Sequence, residues 1–278
     1  MCRWMAYTGG PIPMSELILK PRHSLIDQSL HSRMGQEVTN GDGFGIGWFS
    51  QLPTPGIYKN VQPAWNDVNL HDLCDHVSSG LFLAHIRAST GSPVQYTNCH
   101  PFRYGRQLLV HNGLIRGFRQ IRRELLMALD DEHFQILSGG TDSELMFALA
   151  LQFGLDDNPM EGIARMVGLI EAVGRKAGIE NPVQMTLGFS NGGPLHGVRY
   201  SSEGESRTLF HSNHLSAFEA HLEPEQQALL ELMGDNARAI VSEPLSDLKE
   251  FWEPIPESSF ISVVDGEVIL ERFQPLPP

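Results

Sequence analysis

The chain has 278 residues, 41% hydrophobic and 19% charged, a composition that supports a packed globular core and excludes a disordered chain. Its formal net charge of -13 argues against nucleic acid or an anionic membrane as a partner, so an anionic ligand must be held by a local cation. The three cysteines, Cys2, Cys74 and Cys99, are odd in number and too few for a disulfide framework. With no signal-like leader and no spanning apolar run, the expected location is the cytoplasm.

Residues 2–8 read as a strand, and residues 45–50 as another after the glycine run GDGFG. A helix is predicted over 66–76. The apolar runs LFLAHIRA (81–88) and QLLVHNGLI (107–115) read as buried strands broken by turn residues. A helix over 118–129 carries Ile121, Leu125, Leu126 and Leu129 on an apolar face, with Arg116, Arg119, Arg122 and Arg123 around it. This arrangement reads as a solvated cationic face.

A second helix opens at Thr141-Asp142-Ser143-Glu144, a capping box in which Thr141 and Glu144 satisfy the first free amides. A helix over 163–176 follows, then strands near 184–190, 196–201 and 208–212, a helix over 225–233 and a strand over 238–242. The last elements form a hairpin of 260–264 and 267–273 turned at Asp265-Gly266. Tight turns between many strands indicate antiparallel sheet, and the missing strand–helix–strand beat argues against a doubly wound parallel fold. The tail QPLPP is expected to be loose.

Cys2 carries the most suggestive chemistry. With Met1 removed, its thiol, of ordinary pKa ~8.5, sits on the same residue as an α-amino group of pKa ~7.7–8. The amine can then serve as the base for the thiol. Arg87 closes a buried apolar strand, where a guanidinium needs an anionic partner such as a substrate carboxylate. Asn112 followed by Gly113 offers an amide donor and a closely approachable backbone N–H, the pair that an oxyanion hole requires. Asp142, at a helix start, can hold an ammonium group, although a favourable charge at the positive helix end explains it equally.

Three rivals are weaker. Gly188-Phe189-Ser190-Asn191-Gly192 matches a nucleophile elbow, but the following Gly193-Pro194 and strand-like HGVRY make it a hairpin turn. His71, Cys74 and His76 have metal-ligand side chains without a full ligand set, and read as exposed polar residues of a helix. The run 41–47 leads into a strand rather than a helix N-terminus, so it lacks the geometry of a phosphate cradle. Cys99-His100 is adjacent in sequence, and on a strand the two side chains would point to opposite faces.

In order, the starting Met-Cys-Arg, NGDGFGIGWF, PAWNDVNL, AHIRAST, TNCHPF, VHNGLI, TDSE and SEPL resemble the class II glutamine amidotransferases, whose nucleophile is an N-terminal cysteine. The likeness runs from residue 2 to at least Leu245. It is greatest to the stand-alone branch that includes the amidotransferase subunit of glutathione degradation and the γ-glutamyl hydrolase of the ergothioneine pathway. The resemblance implies a single domain over 2–278 with an α+β fold, the four-layer αββα Ntn-hydrolase sandwich of two antiparallel sheets.

It also implies roles. Cys2 attacks the γ-carbonyl with its own α-amino group as base, Arg87 grips the α-carboxylate, Asn112 and Gly113 form the oxyanion hole, and Asp142 holds the α-ammonium. No metal or cofactor is implied. The expected substrate is a small γ-glutamyl compound such as glutamine, glutathione or a related conjugate, with a possible ammonia-accepting or peptidase-like partner subunit. The alternatives are a non-enzymatic γ-glutamyl sensor or regulatory subunit and a serine hydrolase using Ser190.

Overall fold

The computed structural model describes residues 2–32, 34, 39–89, 91–214 and 224–277. Its first half runs β1 (Arg3–Pro13), α1 (Ser15–Ile18), α2 (Leu25–Leu30), β2 (Phe44–Trp48), β3 (Gly56–Asn60), α3 (Val68–His76), β4 (Ser78–Ile86), β5 (Phe102–Tyr104) and β6 (Gln107–Ile115). Four helices follow: α4 (Phe118–Met127), α5 (Asp131–Phe134), α6 (Asp142–Gln152) and α7 (Pro159–Lys176). The remainder is β7 (Val183–Ser190), β8 (Leu195–Ser201), β9 (Phe210–Ser212), α8 (Pro224–Met233), β10 (Arg238–Val241), β11 (Trp252–Pro254), β12 (Ser259–Val264) and β13 (Glu267–Arg272).

The described strands form two sheets, ordered β11-β9-β10-β1-β4-β2-β3 and β13-β12-β8-β7-β6-β5. Their pairings are antiparallel. Alternation along the strands sets the layers, because successive side chains face opposite sides of a sheet. Met5 and Tyr7 of β1 and Phe82 and Ala84 of β4 share one core with Ile18, Leu25 and Leu70 from the first helices. Trp4, Ala6, Leu81 and Leu83, with Ile240 of β10 in the same sheet, face the other way, onto Leu108, Val110 and Ile261 of the second sheet, and this is the seam between the sheets.

Beyond the second sheet, Met185, Leu187 and Phe189 of β7 pack on Leu145 and Leu149 of α6 and on Val167 and Ile170 of α7. Every residue of α6 from Ser143 to Leu151 is buried, as befits a helix covered on all sides. The order helices–sheet–sheet–helices is the αββα sandwich expected from the sequence.

Polar ties cross the seam as well as apolar contacts: Trp4 Nε1 donates to Thr186 Oγ1 at 3.0 Å. A Cβ at Gly188 would lie 2.5 Å from the Trp4 ring, so the first glycine of the elbow-like motif serves sheet packing. The hairpin turn is confirmed, with Asp265 and Gly266 at φ 50° and 84°.

Two expectations need correction. The C-terminal tail is not loose: Leu276 N donates to Ala164 O at 3.0 Å on α7, and Phe273 is fully buried. The helix predicted from residue 163 begins instead at Pro159, because Asn158 caps it by accepting from Glu161 N at 3.3 Å.

Candidate active site

Pairing of β1 with β4 sets Arg3 opposite Ile86 and so draws residue 2 alongside residues 87–88. Ala88 N donates to Cys2 Sγ at 3.4 Å, and the thiol in turn approaches Ala88 O at 3.5 Å. Arg3 fixes the main chain here: Nη1 donates to Cys2 O at 2.8 Å, while Nε is paired with Glu243 Oε2 at 2.9 Å. Burial pushes the Cys2 thiol pKa up, with the Ala88 N–H opposing it. The resting sulfur is therefore protonated, and a base must act before it can attack. Met1, whose removal would free the Cys2 α-amine to be such a base, lies outside the described residues.

Arg87 follows β4 directly and is buried. Its guanidinium donates to Asp42 O at 3.2 Å, Ser92 Oγ at 2.7 Å, Ser89 Oγ at 3.2 Å and Pro93 O at 3.2 Å. These acceptors are all neutral oxygens. They hold the group in place and leave its charge for a bound anion.

Asn112 and Gly113 lie on β6, opposite Thr186 and Met185 of β7. Gly113 has φ 156°, and a Cβ there would collide with Gln184 O, so only glycine fits. Asp142 opens α6. Its Oδ2 accepts from Ile115 N and its Oδ1 from Ser143 N, both at 2.8 Å.

Half of the expected capping box is present. Thr141 Oγ1 accepts from Glu144 N at 3.1 Å, but the Glu144 carboxylate turns to Ser138 N at 2.9 Å and Gly139 N at 2.8 Å. It thereby shapes the loop before the helix instead of capping residue 141.

Cys2, Arg87, Asn112, Gly113 and Asp142 all line a single small cleft of about 60 Å³. A larger cavity of about 800 Å³ meets it at Ser92, Leu114, Thr141 and Asp142. Arg116, Arg119 and Arg122 flank this cavity. The cationic face is only partly free, since Arg116 is paired with Glu203 and Arg119 donates to Gly91 O at 3.2 Å.

Sequence reasoning missed the histidines of the cleft. His100 and His111 line it, and the His85 ring lies behind, 4.1 Å from that of His100. His85 Nε2 bonds the His111 carbonyl at 3.0 Å, and His111 Nδ1 bonds Ser143 Oγ at 2.8 Å. Burial lowers all three pKa values, to about 3 for His85 and well below the ordinary value for His100; for His111 the Asp142 carboxylate opposes the effect. The group is neutral.

The opposite-faces argument for Cys99-His100 does not apply, because both residues lie between a 3₁₀ turn at Tyr96–Asn98 and β5. Their one sequence signal was the motif TNCHPF.

The rivals separate cleanly. Ser190 ends β7 and donates to Pro194 O at 2.9 Å within a β7–β8 hairpin, so there is no elbow. His71 and His76 are exposed as expected, whereas Cys74 is buried in the first core, which also holds Leu70 and Tyr7, with its pKa raised to about 12 by burial. The helix turns that thiol inward, which corrects the reading of the three as exposed. Among the described residues no group of three or more His, Cys, Asp or Glu is placed to hold a metal, and no helix is long and apolar enough to cross a membrane.

A two-sheet αββα sandwich with Cys2 beside a buried arginine, an Asn-Gly pair and a helix-start carboxylate has the architecture of the Ntn-type amidohydrolases. A family model for class-II glutamine amidotransferases matches residues 16–276, and the chain belongs to that family.

The chain is 31% identical over 300 residues to the probable glutamine amidotransferase DUG3 of Saccharomyces cerevisiae, covering 97% of this chain and 84% of that protein. It is 32% identical over 117 residues to the gamma-glutamyl-hercynylcysteine sulfoxide hydrolase of Mycobacterium tuberculosis, covering 41% of this chain and half of that one.

A solved glutamine aminotransferase class-II domain protein from Silicibacter pomeroyi superposes with TM-score 0.74 at 29% identity, covering 99% of this chain and 100% of that chain. The glutamine PRPP amidotransferase of B. subtilis shares the fold at TM-score 0.63 and 15% identity, covering 98% of this chain and 49% of that chain.

Proposed function

We propose that the protein, working as one domain over residues 2–278, hydrolyses a γ-glutamyl amide through a Cys2 thioester. The observation that carries this reading is the convergence of Cys2, Arg87, Asn112, Gly113 and Asp142 on one cleft, although they are spread over 140 positions of sequence. A γ-glutamyl group ends in an amino acid zwitterion, and a buried cation with a nearby carboxylate complements both of its charges.

In this reading Arg87 binds the α-carboxylate and Asp142 the α-ammonium. The α-amine of Cys2 takes the thiol proton, and sulfur attacks the γ-carbonyl. Asn112 and the Gly113 N–H hold the resulting oxyanion. Collapse breaks the C–N bond, the amine leaves with the proton from the α-ammonium, and water then cleaves the thioester to glutamate. The substrate is glutamine, glutathione or a related conjugate. A partner subunit that consumes ammonia or a released peptide, and a cytoplasmic location, are consistent with this chemistry.

The test is glutamate release from glutamine, glutathione and a γ-glutamyl thiol conjugate by protein whose N-terminus is Cys2, compared with Cys2→Ala. Release that depends on Cys2 is expected. Equal release by the variant would overturn the reading, and ligand binding without release would favour a sensor.

A further inference from the structure

His100 lies on the same cleft as Cys2, is only 3% exposed, and has neither ring nitrogen hydrogen-bonded within the protein. The other buried histidines differ. His23, His85, His111 and His211 each make a ring hydrogen bond, to Asp247, the His111 carbonyl, Ser143 and the Ser212 carbonyl. Leaving a buried polar group unpaired costs on the order of 1–3 kcal/mol.

A merely space-filling role would be met better by an apolar ring, such as the Phe102 ring that packs edge-on against His100 at 4.5 Å. The imidazole also packs against the His85 ring, at 4.1 Å between ring centres. A neutral imidazole offers one donor and one acceptor nitrogen, and the cleft it faces is where water must be delivered to the acyl-enzyme.

We propose that His100 holds the water that hydrolyses the γ-glutamyl thioester. This rests on the acyl-enzyme reading above. The water oxygen bonds to the thioester carbonyl carbon while one of its protons passes to the Cys2 α-amine. Its other O–H donates to the acceptor nitrogen of His100, which fixes the direction of attack. Collapse breaks the C–S bond, the α-ammonium returns its proton to sulfur, and the remaining proton leaves with the new carboxyl group. Acylation uses no water, so His100 affects only the second half-reaction.

Hydroxylamine, a stronger nucleophile that does not need this anchor, separates the two halves. With a γ-glutamyl substrate and hydroxylamine present, glutamate reports attack by water and γ-glutamyl hydroxamate reports attack by the added amine. His100→Phe keeps an aromatic ring packed between its neighbours and removes both ring nitrogens. It should lower glutamate formation on the order of 10²-fold, keep hydroxamate formation near wild type, and accumulate γ-glutamyl-Cys2 protein by intact mass.

His100→Asn, whose amide falls short of the ring-nitrogen position, should shift the partition the same way and carries the test if the Phe variant does not fold. His100→Gln, which reaches that position, should restore part of the hydrolysis. An unchanged partition in the variants, or both products falling together, overturns the proposal. Wild-type turnover with neither hydroxamate nor a Cys2 adduct would overturn the acyl-enzyme reading itself, and this inference with it.

Discussion

Asp142 Oδ2 accepts a hydrogen bond from the Ile115 backbone N–H at 2.8 Å, so the carboxylate assigned to the substrate ammonium is braced against the strand carrying Asn112 and Gly113. The start of α6 and the end of β6 are therefore tied to each other. Asp142→Asn keeps an oxygen for Ile115 and removes the charge. Its KM should rise about 10- to 100-fold, the size of a charge-assisted hydrogen bond worth about 1.5–3 kcal/mol, with a smaller change in kcat. Asp142→Ala loses the brace as well, and kcat should fall with it. Steady-state kinetics of the two variants separates binding from bracing.

The Asn112 side chain lines the cleft and is no part of the hydrogen-bond scaffold that holds Asp142 and Glu144 in place. Asn112→Ala should lower kcat by about 10²–10³-fold, as removal of an oxyanion donor does, while thermal unfolding stays close to wild type. Gly113→Ala is different in kind, because its methyl group meets Gln184 O across the β6–β7 ladder. It should both inactivate and destabilise the protein, by about 1–3 kcal/mol, measured by urea unfolding.

Arg3 and Glu243 form a buried pair, with side chains 4% and 3% exposed. Glu243→Ala leaves a buried guanidinium without its counter-charge, and a loss of about 3–5 kcal/mol is expected. Because the same guanidinium holds Cys2 O, activity measured well below the unfolding transition should fall too. Retained activity in a destabilised variant would show that Arg3 supports the fold alone.

The buried histidines set an acid limit. His85, His100 and His111 have folded pKa values below the unfolded value of about 6.5, so as pH falls the unfolded chain takes up protons that the folded chain refuses. Stability should be full above about pH 6.5 and decline below it, by about 1.4 kcal/mol per pH unit for each such histidine. For His85 the decline continues to about pH 3. Urea unfolding at successive pH values measures this slope. His85→Asn, which does not titrate, should flatten it.

Much of this site was legible in the sequence because its residues sit on elements with strong local signals. The run 107–115 is a strand at the same limits in the structure, and the Thr141 cap places Asp142 at the first turn of α6. His100 was not legible. It sits in irregular chain whose course is set by packing against Gly45 and Phe102, which no local periodicity records.

The short strands β3, β5 and β11 escaped for a related reason. Strands of three to five residues are made by their partners rather than by their own propensity. Cys74 shows the remaining difficulty: the residue types were read correctly, but a helix of mixed polarity does not declare which side faces the core.

The central claim is that Cys2 is a free N-terminal nucleophile, and intact-mass measurement of protein quenched in acid during turnover of a γ-glutamyl substrate tests it most directly. The account expects a chain that begins at Cys2 and carries one glutamyl group, absent from Cys2→Ala. Turnover by protein that retains Met1, or by wild type without any adduct while Cys2→Ala remains active, would contradict it.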